Sequence, residues 1–432
     1  MKRVLLLAPY FPPRRRVGSY RAFKFAIHLR NFGWEPLVVH LKTPDNALSP
    51  REELFLNTIK RVELKTPFDH TSSSSGSYAK RYNTKSLKPL SNWGSKIGDL
   101  FDNSFPIDTW WPVLKFHQNN LQVLVEKFKP DVLWSTADPW CSHSTAMALA
   151  KKSKIPWVAD FRDPWTLCPI RSGPRMPWAR AIDKNVERKV LTYADQAVFT
   201  AENTANNYRK HYSDVSTPMT TIYNSFDDEF FLPPELEEEQ TSAGKFKILF
   251  YGRFRSLSPA ESAIRLLEAV KLANPEVLEH ISIQSCGELP DEDAKKAHGT
   301  GVLSAFESVN PEPYENTLIR LNQADMLLLS TEQNRNEIIP AKLWDYLSAG
   351  KPIVSFSQNP EVAEILKQTK TGAQFAIKDM DKASDFLIDC FIAKKEGRPL
   401  PYSKERDRVK IQAYSSVNTT AQLATLFDQL KG

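Results

Sequence analysis

The run over residues 325–356 leaves few folds open to this chain. It holds an apolar segment over 325–330, a polar loop, a helical pattern and a second apolar segment over 352–356. Pro340 suits a first helical turn, where a missing N–H is harmless, and Gly350 followed by Pro352 suits a helix end. Two short apolar strands joined through a helix make a parallel β-loop-α-β unit, and parallel sheets need helices over both faces. The loop before the helix then lies at the carboxyl end of the first strand, where open α/β sheets bind ligands.

The same alternation opens the chain. Residues 4–8 read as a buried strand, 9–18 as a loop, 19–32 as a helix and 37–41 as the next strand. Ser19 reads as the N-cap of that helix, Ala22, Phe25, Ala26 and Leu29 as its apolar stripe, and Gly33 as its stop. Further strands are expected over 131–135, 157–161, 197–200 and 220–223, with helical stretches over 108–128 and 183–194. Residues 233–244 are acidic, polar and proline-bearing, as a linker would be, and an apolar strand over 247–251 restarts the pattern. After it, strands over 281–284 and 374–377 and helices over 314–323, 360–366, 381–394 and 416–430 are expected. Residues 66–100 are rich in Ser, Lys and Asn and read as a flexible insertion, in which Trp93, Ile97, Leu100 and Phe101 could share one face.

Composition narrows the function. The 432 residues suffice for two or three domains, and 41% hydrophobic with 25% charged residues is the balance of a soluble globular protein. No apolar run approaches the ~18 residues that span a membrane, and the N-terminal apolar run is too short for a signal peptide. The four cysteines (Cys141, Cys168, Cys286, Cys390) are scattered, which favours a reducing compartment, and neither they nor the eight histidines show metal-ligand spacing, so no metal or cofactor is expected. The first 34 residues hold eight Lys or Arg and no acid. No nucleic-acid recognition motif accompanies that patch, so an anionic membrane surface or a phosphorylated substrate is the better partner.

Several residues carry chemistry by type and place. Glu337 lies in the loop before the helix of the 325–356 unit, and Asp345 lies eight residues later. They can accept hydrogen bonds from sugar hydroxyls beside N–H groups that favour a phosphate. They can equally be a dipole-complementing acid and a surface partner of Lys342. The Asp-x-Asp pairs Asp291–Asp293 and Asp379–Asp381 sit at apparent helix starts, where acids complement the dipole. The opening loop lacks Gly-x-Gly-x-x-Gly, which argues against a dinucleotide site, although it carries Arg14, Arg15 and Arg16 before Gly18 and Ser19. Arg162 and Asp163 follow the 157–161 strand, and Gly252 and Arg253 follow the 247–251 strand, both at strand ends.

With these residues in view, the stretch from Asn336 to Pro352 resembles the donor-site signature of retaining GT-B glycosyltransferases of the family-4 type: an acid, seven residues, a second acid, a small-residue segment and Gly-x-Pro. Ala159-Asp-Phe-Arg-Asp-Pro-Trp165 resembles a segment of one branch of that family, and Asn224-Ser-Phe-Asp227 resembles its Asn-Gly-Phe/Val-Asp segment, with Ser225 for Gly. The chain departs in having Asp345 for the usual Glu, only Gly18 (with Ser19) of the paired glycines, and no lysine shortly after Arg253.

The resemblance implies an α/β fold of two Rossmann-like domains facing a central cleft. Residues 1–232 would be the acceptor domain, completed by a C-terminal helix over about 405–432 that crosses back to it. Residues 233–245 would be the linker and 246–404 the nucleotide-sugar donor domain. By position Glu337 contacts the donor sugar and Asp345 the ribose. Arg253 grips the diphosphate, with Arg255 as candidate substitute for the missing lysine. Gly18, Ser19, Gly252, Gly287, Ile338, Ile339 and Lys342 would line the donor, and Arg16, Arg162 and Asp163 would meet the acceptor or the reacting sugar. It implies metal-independent transfer with retention, by front-face attack assisted by the leaving phosphate, onto a glycan or lipid-linked acceptor in cell-surface polysaccharide (lipopolysaccharide-type) synthesis. The location would be cytoplasmic, at the inner face of the cytoplasmic membrane. A nucleotide-sugar epimerase of similar fold and a non-catalytic partner in a glycan-assembly complex stay open as alternatives.

Overall fold

The computed structural model describes residues 1–14, 17–42, 48–66, 103–227, 244–255, 258–310, 314–332 and 336–431. The expected insertion over 66–100, most of the expected linker, and Arg15 and Arg16 lie outside the described residues. The chain divides into two compact units, Met1–Asn224 with Ser416–Gly432, and Ser225–Ser415.

The first unit is built on seven parallel strands: β1 (Lys2–Leu7), β2 (Trp34–Leu41), β3 (Lys60–Leu64), β4 (Val132–Ala137), β5 (Trp157–Phe161), β6 (Gln196–Phe199) and β7 (Met219–Thr221). Their order is β3-β2-β1-β4-β5-β6-β7. Crossover direction therefore reverses between β1 and β4, which pair directly with Val4 opposite Val132. Strands β4, β5 and β6 are buried along their whole length, as parallel strands covered on both faces must be. The helix Ser416–Lys431 belongs to this unit, as expected for a C-terminal helix that crosses back. Trp34 Nε1 donates to Asp428 at 3.0 Å, Lys431 pairs with Asp131 at 3.0 Å, and Phe427 packs edge-on against Trp34.

The second unit repeats the plan with six strands: β8 (Phe246–Phe250), β9 (Ile281–Cys286), β10 (Phe306–Val309), β11 (Met326–Ser330), β12 (Ile353–Phe356) and β13 (Gly372–Gln374). The order β10-β9-β8-β11-β12-β13 places its reversal between β8 and β11. The chain enters and leaves this unit side by side, with Phe226 bridged in parallel to Ser415.

Three local expectations are corrected. The first helix is Val17–His28, so Ser19 lies inside it instead of capping it, fully buried. The helix of the 325–356 stretch starts at Lys342, after Pro340, and spans only Lys342–Ser348. The last strand is Gly372–Gln374, not 374–377, because Gly372 must lie against β12: a Cβ there would meet the Ile353 carbonyl oxygen at 2.1 Å.

Candidate functional site

In the second unit the two loops at the reversal point are the one after β8 and the one after β11. Gly252 and Gly287, just past β8 and β9, both take left-handed backbone conformations, φ +118° and +78°. The Gly252 carbonyl accepts from Cys286 N at 2.8 Å, which ties the two loops together. A larger residue at either would be strained by its φ and crowded by a neighbouring cation. A Cβ on Gly252 would lie 3.2 Å from Lys342 Nζ, and one on Gly287 would lie 3.1 Å from Arg253 Nε. Arg255 is held by paired backbone hydrogen bonds with Ser258, at 3.0 and 2.8 Å.

The second arm is the short helix Lys342–Ser348. Its Leu343, Trp344, Tyr346 and Leu347 are buried. The Tyr346 hydroxyl accepts from Tyr251 N at 2.9 Å and donates to the Leu328 carbonyl at 3.1 Å, so one side chain pins the helix to the β8 loop and to β11. At the far end Arg406 donates to the Leu347 carbonyl, an orphan acceptor of the last turn. Asn359 Nδ2 donates to the Ile338 carbonyl at 3.2 Å and steadies the preceding loop.

That scaffold brings Gly252, Arg253, Gly287, Lys342 and Arg255 together. Lys342 lies over the Phe250 ring, its ammonium 3.5 Å from the centroid. Asp345 is buried, contrary to the reading of it as a surface partner of Lys342. Burial, and then the charge of Arg255, push the Lys342 ammonium well below its ordinary pKa. Arg253 and Arg255 are exposed and Lys342 half-buried, and among the described residues none of the three has a carboxylate partner. Asp345 and Ile339 are buried, while Glu337 and Ile338 are half-buried. Three cations with no counter-ion among the described residues, beside two close-approach glycines, suit a polyanion.

In the first unit, residues from the loops after β1, β4 and β5 meet at the corresponding reversal point. Arg162, after β5, donates from Nη2 to Asp138 at 2.6 Å and to Asp163 at 2.7 Å, and from Nε to the Ala137 carbonyl at 3.2 Å. Its guanidinium fills the space beside Gly18, where a Cβ would lie 2.1 Å from Nη1. Burial works against its charge, but the carboxylates of Asp163, Asp138 and Asp160 outweigh it and hold Arg162 above its ordinary pKa. Asp163, expected to meet the acceptor or the reacting sugar, has this ion pair, and its side chain is 41% exposed. The Ser19 hydroxyl, expected near the donor, is buried with no hydrogen-bond partner among the described residues. Arg16 lies outside the described residues.

Beneath this group is a buried pair that sequence reasoning missed. Arg21 Nη2 meets Asp160 Oδ1 at 2.7 Å, with side chains 3% and 0% exposed. Thr136 also donates to Asp160, at 2.8 Å, and Arg21 Nη1 donates to the Tyr223 carbonyl at 2.9 Å. Two signals were available. Asp160 interrupts an apolar strand, and Arg21 shares a helix face with Phe25, over whose ring it lies. Among the described residues no group of three or more His, Cys, Asp or Glu could hold a metal, and no helix is long and apolar enough to cross a membrane.

Comparison with known proteins adds to this geometry. The family model described as Glycosyltransferase Family 4 matches residues 18–230. No curated protein matches the sequence. Among solved structures, sucrose-phosphate synthase from Thermosynechococcus elongatus superposes with TM-score 0.64 at 13% identity, covering 100% of this chain and 99% of that one. HepE of Anabaena in complex with UDP-glucose gives 0.60 at 13% identity, covering 99% and 100%. A putative UDP-N-acetylglucosamine 2-epimerase from Listeria monocytogenes gives 0.55 at 12% identity, covering 99% and 96%. At such identities the structures speak for the fold, that of GT-B proteins, and the family match speaks for residues 18–230, just under half of the chain, which resemble family-4 glycosyltransferases.

Proposed function

We propose that the protein transfers a sugar from a nucleoside-diphosphate donor to a glycan or lipid-linked acceptor. The observation that carries this reading is the set of cations at the β8/β11 reversal point that have no carboxylate partner among the described residues: Arg253, against Gly287, and Arg255, with Lys342 beside Gly252. When a glycosyl bond breaks, negative charge develops on the departing diphosphate, and fixed cations stabilise it without reorganising. Glu337, in the loop before the Lys342–Ser348 helix, is placed by sequence to accept from hydroxyls of the donor sugar, and Asp345 from the ribose. The HepE complex with UDP-glucose, on the same fold, supports a nucleotide-sugar donor.

The acceptor would bind the first unit, near Arg162, Asp163 and Gly18. Arg162 is already engaged by Asp138 and Asp163, so it acts here as an orienting group, and Asp163 is the more exposed of its two partners. No carboxylate is assigned as nucleophile. The reaction would retain configuration, with the leaving phosphate assisting attack of the acceptor on the same face. Cell-surface polysaccharide synthesis at the cytoplasmic face of a membrane is the setting we favour, given the basic N-terminal segment.

The test is transfer of labelled sugar from a panel of UDP-, GDP- and ADP-sugars to a membrane and glycan extract. Label in a glycan or lipid product, lost in Glu337→Ala and Arg253→Ala, is the expected result. Interconversion of free nucleotide-sugars without transfer would favour the epimerase reading instead. Binding with neither transfer nor interconversion would favour a non-catalytic partner.

A further inference from the structure

The loop after β8 contains no lysine between Tyr251 and Ser262, and Phe254 turns inward to stack on Phe250 with centroids 4.1 Å apart. That loop by itself supplies only guanidinium groups. Lys342 reaches the same place from the other side of the reversal point. Its ammonium lies over the Phe250 ring and beside Gly252, next to the space a side chain at 252 would take. We propose that Lys342 is the ammonium that completes the diphosphate site, delivered by the Lys342–Ser348 helix instead of by the loop after the unit's first strand. This deepens the donor reading given above and rests on it.

Three observations carry the assignment. The ammonium has an aromatic face but no carboxylate partner among the described residues, and a ring face does not neutralise a charge. The charge that acts on it is that of another cation, Arg255, which raises the cost of keeping it charged in the free protein. Its position is fixed, since Tyr346, four residues on, holds the helix to both strands that flank the site. A half-buried cation held next to another cation is unfavourable unless an anion joins them. A diphosphate, with charge on both phosphoryl groups, would neutralise Lys342 together with Arg253 and Arg255. The placement also links the two ends of the donor: the helix that carries Lys342 carries Asp345 and is preceded by Glu337. A diphosphate gripping Lys342 therefore fixes the helix that is to meet the sugar and the ribose.

The experiment is calorimetric titration of the full-length protein and of Lys342→Met, Lys342→Arg and Arg253→Ala with UDP, GDP and ADP, and with the matching nucleosides followed by NMR. For the diphosphate that the wild type binds, Lys342→Met should weaken affinity about 10- to 100-fold, the loss of one hydrogen bond to a charged group. Nucleoside affinity and the unfolding midpoint should stay at wild-type values. Lys342→Arg should recover most of the loss, because a guanidinium keeps the charge. The assignment is overturned if Lys342→Met binds the diphosphate as the wild type does, or loses diphosphate and nucleoside equally. If that happens while Arg253→Ala loses the diphosphate, the donor reading survives and only the role of Lys342 falls. A wild-type protein that binds none of the three diphosphates overturns both.

Discussion

Replacing Gly18 by alanine isolates how the first unit holds its reversal point. A Cβ at Gly18 would lie 2.1 Å from Arg162 Nη1 and 2.7 Å from its Cζ, closer than real contacts allow. A side-chain tip can often swing aside at little expense, but this one is tethered. Arg162 is 12% exposed and held by Asp138, Asp163 and the Ala137 carbonyl. Moving it breaks charge-assisted bonds of about 1.5–3 kcal/mol each when buried. The Asp163 partner, 41% exposed, contributes less, about 0–1 kcal/mol. Against this, alanine is about 1 kcal/mol better than glycine within a helix. The net expectation is destabilisation of about 1–3 kcal/mol. Urea unfolding of the full chain gives the magnitude, and hydrogen exchange in β1, β4 and β5 localises it. The decisive form is a double-mutant cycle with Arg162→Ala, in which Gly18→Ala should become neutral or mildly stabilising. Equal destabilisation in both backgrounds, or a stabilised single mutant, would refute the steric account.

Asp160→Asn strands Arg21 inside the first unit and should cost about 3–5 kcal/mol, read from urea midpoints; a loss under about 1 kcal/mol would mean the pair is not buried in solution. Tyr346→Phe removes the hydroxyl shared by Tyr251 N and the Leu328 carbonyl; it should destabilise the second unit by about 1–3 kcal/mol and weaken nucleotide binding as well, seen by parallel unfolding and titration. Burial drives His143 down to about 3 and His40 to about 4, from an ordinary 6.5. Below pH 6.5 the unfolded chain therefore binds protons that the folded chain refuses, and stability falls as pH drops, by about 1.4 kcal/mol per pH unit for each residue. His143→Phe should remove about half of that slope between pH 6 and 5, and an unchanged slope would contradict it.

Apolar runs with flat, fully buried patterns were the readable part of the fold. β5 was expected with its observed ends because Trp157–Phe161 is buried throughout, and the Tyr314–Gln323 helix was likewise expected over its observed span. Two of the four edge strands, β3 and β10, were not readable. β3, Lys-Arg-Val-Glu-Leu, is mostly exposed, and charges on an edge hide it from any search for apolar runs. Gly252 and Arg253 were legible as residues just past a strand, and the structure has them immediately after β8. Pairings across loops were not, since Gly18 and Arg162 lie far apart in sequence and meet only because the sheet brings β1 beside β4 and β5 beside β4. Lys342 read as donor contact or as partner of Asp345, and that its ammonium lies over Phe250 was not legible in the sequence.

The central claim, a nucleotide-sugar site at the β8/β11 reversal point, is tested most directly by unfolding the protein with and without a panel of UDP-, GDP- and ADP-sugars. A donor at about 100 times its dissociation constant should stabilise the fold by roughly 2.7 kcal/mol. The account predicts that one nucleotide series does so and that Arg253→Ala and Glu337→Ala both abolish the response. No stabilisation by any donor, or a response that survives in both variants, would contradict it.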